Sequence, residues 1–461
     1  MPFNSFDDYP LTWKPSILKE GQVPLHIEIA EKLEHDIRDG LLRPNTKLPP
    51  QRELADFLDV NLSTIAKAFK LCASKGLICG EAGRGTYVSS DVISNLPMLA
   101  EDGLNHCINL GASLPIPEQD KYTSHVLKQL LKKANIIGDI FAYPGTYGVD
   151  TYKKCGVKWL SRYKLNVKED NILITAGLQN ALSVTLAALF RYGDKIATNA
   201  VIYPGFKNIA NTLGIRLVPI PYVDQNLDVS SLKRICVNDT IKGIYLIPDH
   251  HNPTTIYMSY EERAAVADIA RKFNLICIED SSFSFLSPEP HMPITALIPE
   301  RSIYISSVSN SLSPGFRIAF VYVPTAYIEI MFTTHANVNV MAPPLEAELV
   351  SQLINSGMAE QIIEEKREEL IKRNTLIDLY LSKYYMLGDS NSQFRWLHLP
   401  RKWSSANFER AAKERGVQIF GSQRFVVGNA SVFPAARIAI SSPRNVALLE
   451  RGLDILATLL H

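Results

Sequence analysis

Apolar residues in the first part of the chain recur first at helical spacing and then at the spacing of short strands. Leu25, Ile29, Leu33 and Ile37 are four residues apart, which predicts a helix with one buried face that ends at Gly40. The elements predicted after it are helices at 51–58 and 62–74, a strand at 77–79, a glycine-rich tip at 80–85 and a returning strand at 86–88. This order predicts a winged helix-turn-helix domain over 17–90.

Beyond a linker predicted over 91–106, short runs rich in β-branched residues alternate with longer helical patterns. The predicted strands are 172–175, 217–220, 243–247, 275–278, 303–305 and 318–323, and the predicted helices include 178–192 and 259–273. Ser259 and Glu262 form a capping box at the start of the second helix. The alternation predicts a large α/β domain with a mainly parallel sheet over 107–461, with a smaller α+β subdomain from about 345.

Composition and charge exclude several classes of protein but do not identify the function of this one. The 461 residues are 46% hydrophobic, which excludes a disordered chain. Lys plus Arg total 48 against 47 for Asp plus Glu, so no overall basic field indicates nucleic acid. Six scattered cysteines form no zinc-spaced cluster, so we expect buried thiols and no metal site. No signal peptide and no membrane-length apolar run is recognisable, so we expect a soluble cytoplasmic protein.

The helix predicted over 62–74 has a polar, basic face opposite its apolar one. The residues on or beside this face are Ser63, Thr64, Lys67 and Lys70. Lysines neutralise phosphates, and hydroxyls bond phosphates or base edges. Arg84 stands between glycines at the hairpin tip, as a residue that enters a minor groove would. A merely solvated helix is the alternative, because residues 19–90 carry ten basic and ten acidic side chains.

Several segments of this region, collinear over 24–88, resemble the GntR-type winged-helix domain. The segments that carry the resemblance are Pro24–Ala30, Gly40–Pro44, Leu48–Ala55, Val60–Thr64, Ala68–Phe69 and Gly83–Val88. The resemblance implies that Arg52 contacts DNA from the second helix, that the face from Ser63 to Lys70 reads the major groove, and that Arg84 lies on the wing. The family usually has arginine where Leu62 stands, so one phosphate or base contact is missing there.

Candidate ligand-binding residues follow several predicted strands of the large domain. Gly177 lies in a strand-to-helix turn, and the N–H groups of a helix N-terminus form a ready phosphate site. Asp280 follows a predicted strand, at the edge where α/β sheets bind ligands. The other candidates stand in turns and in a serine-rich loop, and they are Leu178, Gln179, Tyr203, Asn252, Ser307, Ser309 and Arg317. Each of these motifs, taken alone, is better explained by an ordinary turn or loop.

The order of these motifs resembles fold type I aminotransferases that depend on pyridoxal phosphate, over about 107–461. Behind a GntR-type domain, it resembles the MocR architecture of transcriptional regulators, which implies a homodimer. The residues to which the resemblance assigns the cofactor phosphate are the turn after Gly177, Ser307, Ser309 and Arg317. It further implies that Tyr203 stacks on the ring, that Asn252 bonds the ring hydroxyl and that Asp280 holds the pyridine nitrogen protonated. By the same resemblance, Arg437 meets a substrate carboxylate.

The position that this family gives to its Schiff-base lysine holds Asn310 here, and an amide cannot form an imine. Ser282 or Phe283 replaces an expected tyrosine and Thr255 an expected glycine, which favours natural divergence over one engineered change. We therefore expect a DNA-binding regulator that senses pyridoxal phosphate, pyridoxamine phosphate or an amino-acid-like ligand without a covalent lysine imine. The alternatives are a regulator that senses a non-pyridoxal ligand, and a working aminotransferase in which Lys207 reaches the ring.

Overall fold

The computed structural model divides the chain into two compact units, Met1–Glu101 with Val426–Asn429, and Asp102–Phe425 with Ala430–His461. The residues that the structure describes are 11–17, 23–38, 41–42, 46–74, 77–81, 85–88, 107–116, 120–132, 138, 140, 149–223, 226–428, 430 and 432–461. Gly40, Arg84 and the predicted linker 91–106 therefore lie outside the described residues. None of the helices in the described ranges is long and apolar enough to cross a membrane.

The first unit is a winged helix-turn-helix, as predicted. Its elements are α1 (Leu25–Arg38), α2 (Gln51–Leu58), α3 (Leu62–Ser74), β1 (Ile78–Glu81) and β2 (Gly85–Val88), and the two strands pair antiparallel. Ile29 and Leu33 of α1 are fully buried against Ile65 of α3 and its neighbours, because both helices carry one apolar stripe. Trp13 is part of the same core, and its indole N–H donates to the carboxylate of Asp36 at 2.9 Å.

The second unit is the predicted α/β domain. Its helices are α4 (Asp120–Leu131), α5 (Asp150–Ser161), α6 (Gly177–Leu189), α7 (Pro204–Thr212), α8 (Val229–Asn238), α9 (Tyr260–Lys272), α10 (Ile294–Leu297), α11 (Val308–Ser311), α12 (Ile328–Asn339), α13 (Pro344–Asn355), α14 (Met358–Leu381), α15 (Ser405–Glu414) and α16 (Val446–Leu460). The predicted capping box of Ser259 and Glu262 is present at the start of α9. Residues 358–381, which include many charged side chains, form the 24-residue helix α14.

Seven strands of the described chain form the central sheet of this unit, in the order β4-β12-β11-β10-β9-β5-β6. Their bounds are β4 (Ile172–Thr175), β5 (Lys195–Asn199), β6 (Arg216–Ile220), β9 (Ile241–Leu246), β10 (Ile276–Asp280), β11 (Ser302–Ser307) and β12 (Ala319–Tyr322); β7 (Tyr222–Val223) pairs with β8 (Asn226–Leu227) beside them. Among these seven strands, β12 alone runs in the opposite direction to the other six, and it pairs antiparallel with β4 and β11. The sheet is therefore mainly parallel, as predicted.

The strand β5, which lies next to the edge strand β6, was not predicted from the sequence. Its residues Lys195, Thr198 and Asn199 are polar, whereas a strand buried on both faces is usually a continuous apolar run. Ile196 and Ala197 are nevertheless fully buried, and β5 pairs with β6 on one side and β9 on the other. Lys195 is tolerated at the strand start because its ammonium group forms an ion pair with Asp239 at 2.6 Å.

A smaller sheet lies in the C-terminal part of this unit, where an α+β subdomain is predicted. In the described residues its strand order is β13-β14-β17-β16. The bounds are β13 (Met386–Leu387), β14 (Arg395–His398), β16 (Phe420–Gly421) and β17 (Ala435–Ile438), and β15 (Val417–Gln418) pairs in parallel with the early strand β3 (Ile108–Asn109). The segment 108–111 thus packs against the C-terminal part of the unit, and Gly111 lies within hydrogen-bonding distance of Arg437 on β17.

Candidate functional site

The helix α3 presents the polar face that its spacing predicts. Ser63, Lys67 and Lys70 are exposed and Thr64 is half-buried, while Ile65 on the opposite face is fully buried. Arg52 is exposed on α2, the preceding helix of the helix-turn-helix. The wing residue Arg84 lies outside the described residues, so its predicted place on the wing stays a prediction.

Four residues predicted to bind phosphate lie together at one edge of the central sheet. Ala319 in β12 is paired with Thr175 at the end of β4 and with Ser307 at the end of β11, so the segments that follow these strands converge. Gly177 has a φ of +79°, and a Cβ there would lie 2.8 Å from Nη2 of Arg317. Nη1 of Arg317 donates to Oγ of Ser309 at 3.3 Å. A guanidinium group, a hydroxyl and a helix N-terminus therefore lie close together, a combination of donors suited to an anion, and we call these four residues the cup.

Beside this cup, the side chains of Gln179 and Tyr203 form a hydrogen bond, and both lie close to Gly205. The amide of Gln179 donates to the hydroxyl of Tyr203, and a Cβ on Gly205 would lie 2.0 Å from that amide nitrogen. Burial raises the pKa of Tyr203, and the bond to Gln179 opposes it. The charges of Asp280, Arg437 and Arg317 also act on Tyr203, which places these side chains in one electrostatic neighbourhood. Leu178 is half-buried in the same first turn of α6.

Asp280 is buried at the carboxyl end of β10 with three hydrogen-bond donors. The backbone N–H and the hydroxyl of Ser282 donate to Oδ1 at 3.0 and 2.6 Å, and the hydroxyl of Tyr245 donates to Oδ2 at 2.9 Å. Burial raises the pKa of Asp280, while these donors favour its charged form. Oδ1 has both lone pairs engaged, whereas Oδ2 keeps one that can accept a further N–H.

Arg437 on β17 is a buried cation that faces a carbonyl and an amide. Its Nη1 donates to Oδ1 of Asn252 at 2.7 Å and its Nη2 donates to the carbonyl oxygen of Gly111 at 2.7 Å. Its Nε has no hydrogen-bond partner in the described part of the chain. Burial lowers the pKa of Arg437 to about 9. Aromatic rings surround the guanidinium group, with centroids 5.3, 5.8 and 4.9 Å away, and they belong to Phe394, Phe420 and Phe425.

Asn310 lies in the short helix α11, directly after the cup residue Ser309, and is half-buried. Its backbone carbonyl oxygen accepts a hydrogen bond of 3.2 Å from Nζ of Lys366, which also donates to the carbonyl of Leu312. Lys207 is buried on α7, one helical turn after Tyr203. The side chain at 310 therefore lies next to the cup residue Ser309 and carries an amide rather than an amine.

Sequence reasoning did not single out Tyr245 or the phenylalanines around Arg437. Tyr245 lies opposite Ile278 in the pairing of β9 with β10, so it shares a sheet face with Asp280 two residues further on. Phe206 stacks on the Tyr245 ring at 3.7 Å, with the planes 8° apart. The alternation within the predicted strand 243–247 could have placed Tyr245 on that face only if the neighbouring strand and its register had been known.

Both units match families of known proteins. Residues 25–88 match the family described as bacterial regulatory proteins, gntR family, and residues 105–451 match aminotransferase class I and II. The uncharacterized HTH-type transcriptional regulator YdeF of Bacillus subtilis (strain 168) is 43% identical over 461 residues, which is 100% of this chain and 99% of that protein. The vitamin B6 salvage pathway transcriptional repressor PtsJ of Salmonella typhimurium is 28% identical over 64% of this chain and 66% of its own length.

Solved aminotransferases share the fold of the large unit. A kynurenine aminotransferase of Pyrococcus horikoshii matches with a TM-score of 0.71 and 22% identity, over 77% of this chain and 91% of its own. An archaeal alanine:glyoxylate aminotransferase matches with a TM-score of 0.72 and 23% identity, over 85% and 98%. The chain therefore belongs to the class I and II aminotransferase family and carries a gntR-family regulatory domain ahead of it, as an HTH-type transcriptional regulator with an aminotransferase-like domain.

Proposed function

We propose that this cytoplasmic regulator binds operator DNA through α2 and α3 and senses a small molecule in its aminotransferase-like unit without forming a covalent bond to it. The observations that carry the proposal are a phosphate cup that adjoins Asn310 and the buried carboxylate of Asp280. The cup and the carboxylate provide affinity for a ligand, whereas the asparagine removes the amine that covalent attachment requires. The unit is thereby suited to sense a ligand rather than to turn it over.

The residues present fit pyridoxal phosphate or pyridoxamine phosphate. A Cβ would fill the space in front of Gly177, where Arg317 and Ser309 offer N–H and O–H donors to a phosphate. Oδ2 of Asp280 can accept the N–H of a pyridinium ring. Tyr203 offers an aromatic face, and Asn252 an amide, for the ring and its hydroxyl. Pyridoxal phosphate, when bound, supplies an aldehyde that reacts with amines.

Arg437 supports an amino-acid-like component of the ligand. Its pKa of about 9 leaves the guanidinium group charged at neutral pH, although it is buried and bonded only to neutral acceptors. A carboxylate is the group that best compensates such a cation, because its two oxygens match the guanidinium fork. A relative named for the vitamin B6 salvage pathway is consistent with a ligand of the pyridoxal type.

Ligand binding is proposed to act on DNA through a shift between arrangements of the two units. A ligand that favours one arrangement raises the population that can place two winged helices on two half-sites. Two half-sites require two copies of the chain, so we propose a homodimer. Fluorescence anisotropy of labelled DNA, titrated with and without pyridoxal phosphate, measures this coupling, and identical curves would refute it.

Covalent trapping tests the ligand site. The wild-type protein is mixed with pyridoxal phosphate, reduced with borohydride and mapped by peptide mass spectrometry. We expect no stoichiometric label on the wild type, a label at position 310 in Asn310→Lys, and none in the matched control Asn310→Gln. A stoichiometric label on the wild type that disappears in Lys207→Gln would overturn the non-covalent proposal and show that Lys207 reaches the ring, as the enzyme alternative requires. An unlabelled Asn310→Lys variant would instead favour a non-pyridoxal ligand.

A second experiment tests DNA binding by α3. Lys67→Ala combined with Lys70→Ala should weaken binding to all sequences, because both side chains are exposed on the polar face. If both lysines neutralise phosphates in each chain of the proposed homodimer, four contacts are lost and the slope of log affinity against log salt should fall by about 4. Lys383→Ala, an exposed lysine of the second unit, is the control and should leave the slope unchanged. An unchanged slope in the double variant would remove Lys67 and Lys70 from the interface.

A further inference from the structure

The helix α3 exposes apolar side chains next to its basic face. Leu62, its first residue, is 43% exposed, and Ala66, one turn later, is also exposed. Both lie between the buried face that holds Ile65 and the polar face that holds Ser63 and Lys67. Leu62 does not belong to the core cluster of the described first unit, so its side chain is available for a partner.

From this stripe we infer that Leu62 and Ala66 contact the 5-methyl groups of thymines in the major groove, so that each operator half-site presents A·T pairs to the start of α3. The N-terminal residues of a recognition helix are those that meet base edges. Neither side chain can donate or accept a hydrogen bond, so they cannot recognise a guanine as arginine does. The thymine methyl is the apolar feature that the major groove offers.

DNA is the occupant that the surrounding charge favours. Lys67 and Lys70 are exposed beside the stripe, and residues 60–80 contain no acidic side chain. Phosphates along one side of the groove would pair with these lysines while the stripe faces the base edges. The inference rests on the proposed DNA binding by α3 and adds the base class that the helix selects.

Replacing thymine by deoxyuridine isolates the methyl group, because uracil keeps every hydrogen-bonding group of thymine. The full-length protein first enriches a binding sequence from a random DNA library. Each thymine of that sequence is then replaced in turn, and affinity is measured by fluorescence anisotropy. We expect binding to weaken about three- to fivefold at each thymine whose methyl is contacted, as burial of one methyl-sized group implies. Leu62→Ala should lose this sensitivity at one of these positions.

Matched variants separate the outcomes. Leu41→Ala removes an equivalent side chain that is 72% exposed outside α3, and it should keep the full deoxyuridine sensitivity. Leu62→Arg should shift the preferred base from thymine to guanine, because arginine forms paired hydrogen bonds with guanine. Failure to enrich any sequence would refute DNA binding itself. Tight binding to an enriched sequence without sensitivity to deoxyuridine would overturn the methyl contacts and leave DNA binding intact.

Discussion

Gly177 is the position at which one added methyl group should separate ligand affinity from stability. Its φ of +79° belongs to the left-handed region, where a residue with a Cβ costs about 1–2 kcal/mol. Gly357 has the same φ of +79°, and a Cβ there would meet nothing within 4 Å. Gly177→Ala and Gly357→Ala should therefore both lower the free energy of unfolding by a similar amount.

The two variants differ in what the new methyl group touches. At Gly177 it would lie 2.8 Å from Nη2 and 3.0 Å from Cζ of Arg317, so the guanidinium group must move. The bond from Arg317 to Ser309 is already 3.3 Å long, and movement would break the cup. A hydrogen bond to a charged group contributes about 1.5–3 kcal/mol. Loss of one such bond to phosphate should weaken binding of a phosphorylated ligand about 10- to 100-fold.

Two measurements test this prediction. Urea unfolding should give nearly equal losses of stability for both variants. A titration with pyridoxal phosphate, followed by tryptophan fluorescence, should show weakened binding for Gly177→Ala alone, with inorganic phosphate as a competitor in the wild type. If both variants bind pyridoxal phosphate as the wild type does, the cup does not hold its phosphate.

Two further predictions concern buried charges of the second unit. Burial would raise the pKa of Asp249, but the bonds from His291 and Arg263 lower it to about 2. Because this is below the unfolded value of 3.8, the carboxylate should contribute about 2 kcal/mol of stability at neutral pH, which is lost as pH falls from 4 towards 2. Asp249→Asn should abolish that part of the pH dependence in urea unfolding, and an unchanged pH profile would contradict it. Arg437→Met removes a guanidinium group whose burial lowers its pKa from 12.5 to about 9. That shift corresponds to a loss of folding stability of about 5 kcal/mol at neutral pH, before the hydrogen bonds of the group offset it. The ligand-free variant should therefore be as stable as the wild type; a loss of 3–5 kcal/mol in thermal or urea unfolding would mean that Arg437 is well compensated within the fold.

Local spacing alone was enough to predict the elements of the first unit and six of the seven strands of the large sheet. The four-residue repeat in α1, the capping box of α9 and the β-branched runs of the sheet each depend on burial or hydrogen bonds within one element. The strand β5 was not predicted because two of its four buried residues, Thr198 and Asn199, are polar, which leaves an apolar run of only two residues. Its first residue, Lys195, forms an ion pair with Asp239, and such a pair joins positions that local pattern does not connect.

The residues of the candidate site also fall into two groups, those that the sequence predicted and those that tertiary structure brought together. The order of the motifs was enough to nominate Gly177, Asp280 and Arg317, because a turn or loop at the end of a strand is a local feature. Tertiary structure alone brought Tyr245 to Asp280 and Asn252 to Arg437, across 35 and 185 residues of sequence. It also surrounded Arg437 with aromatic rings and left its Nε without a partner in the described chain. Spacing encodes which face of an element is buried, whereas sheet order and register decide which buried faces meet.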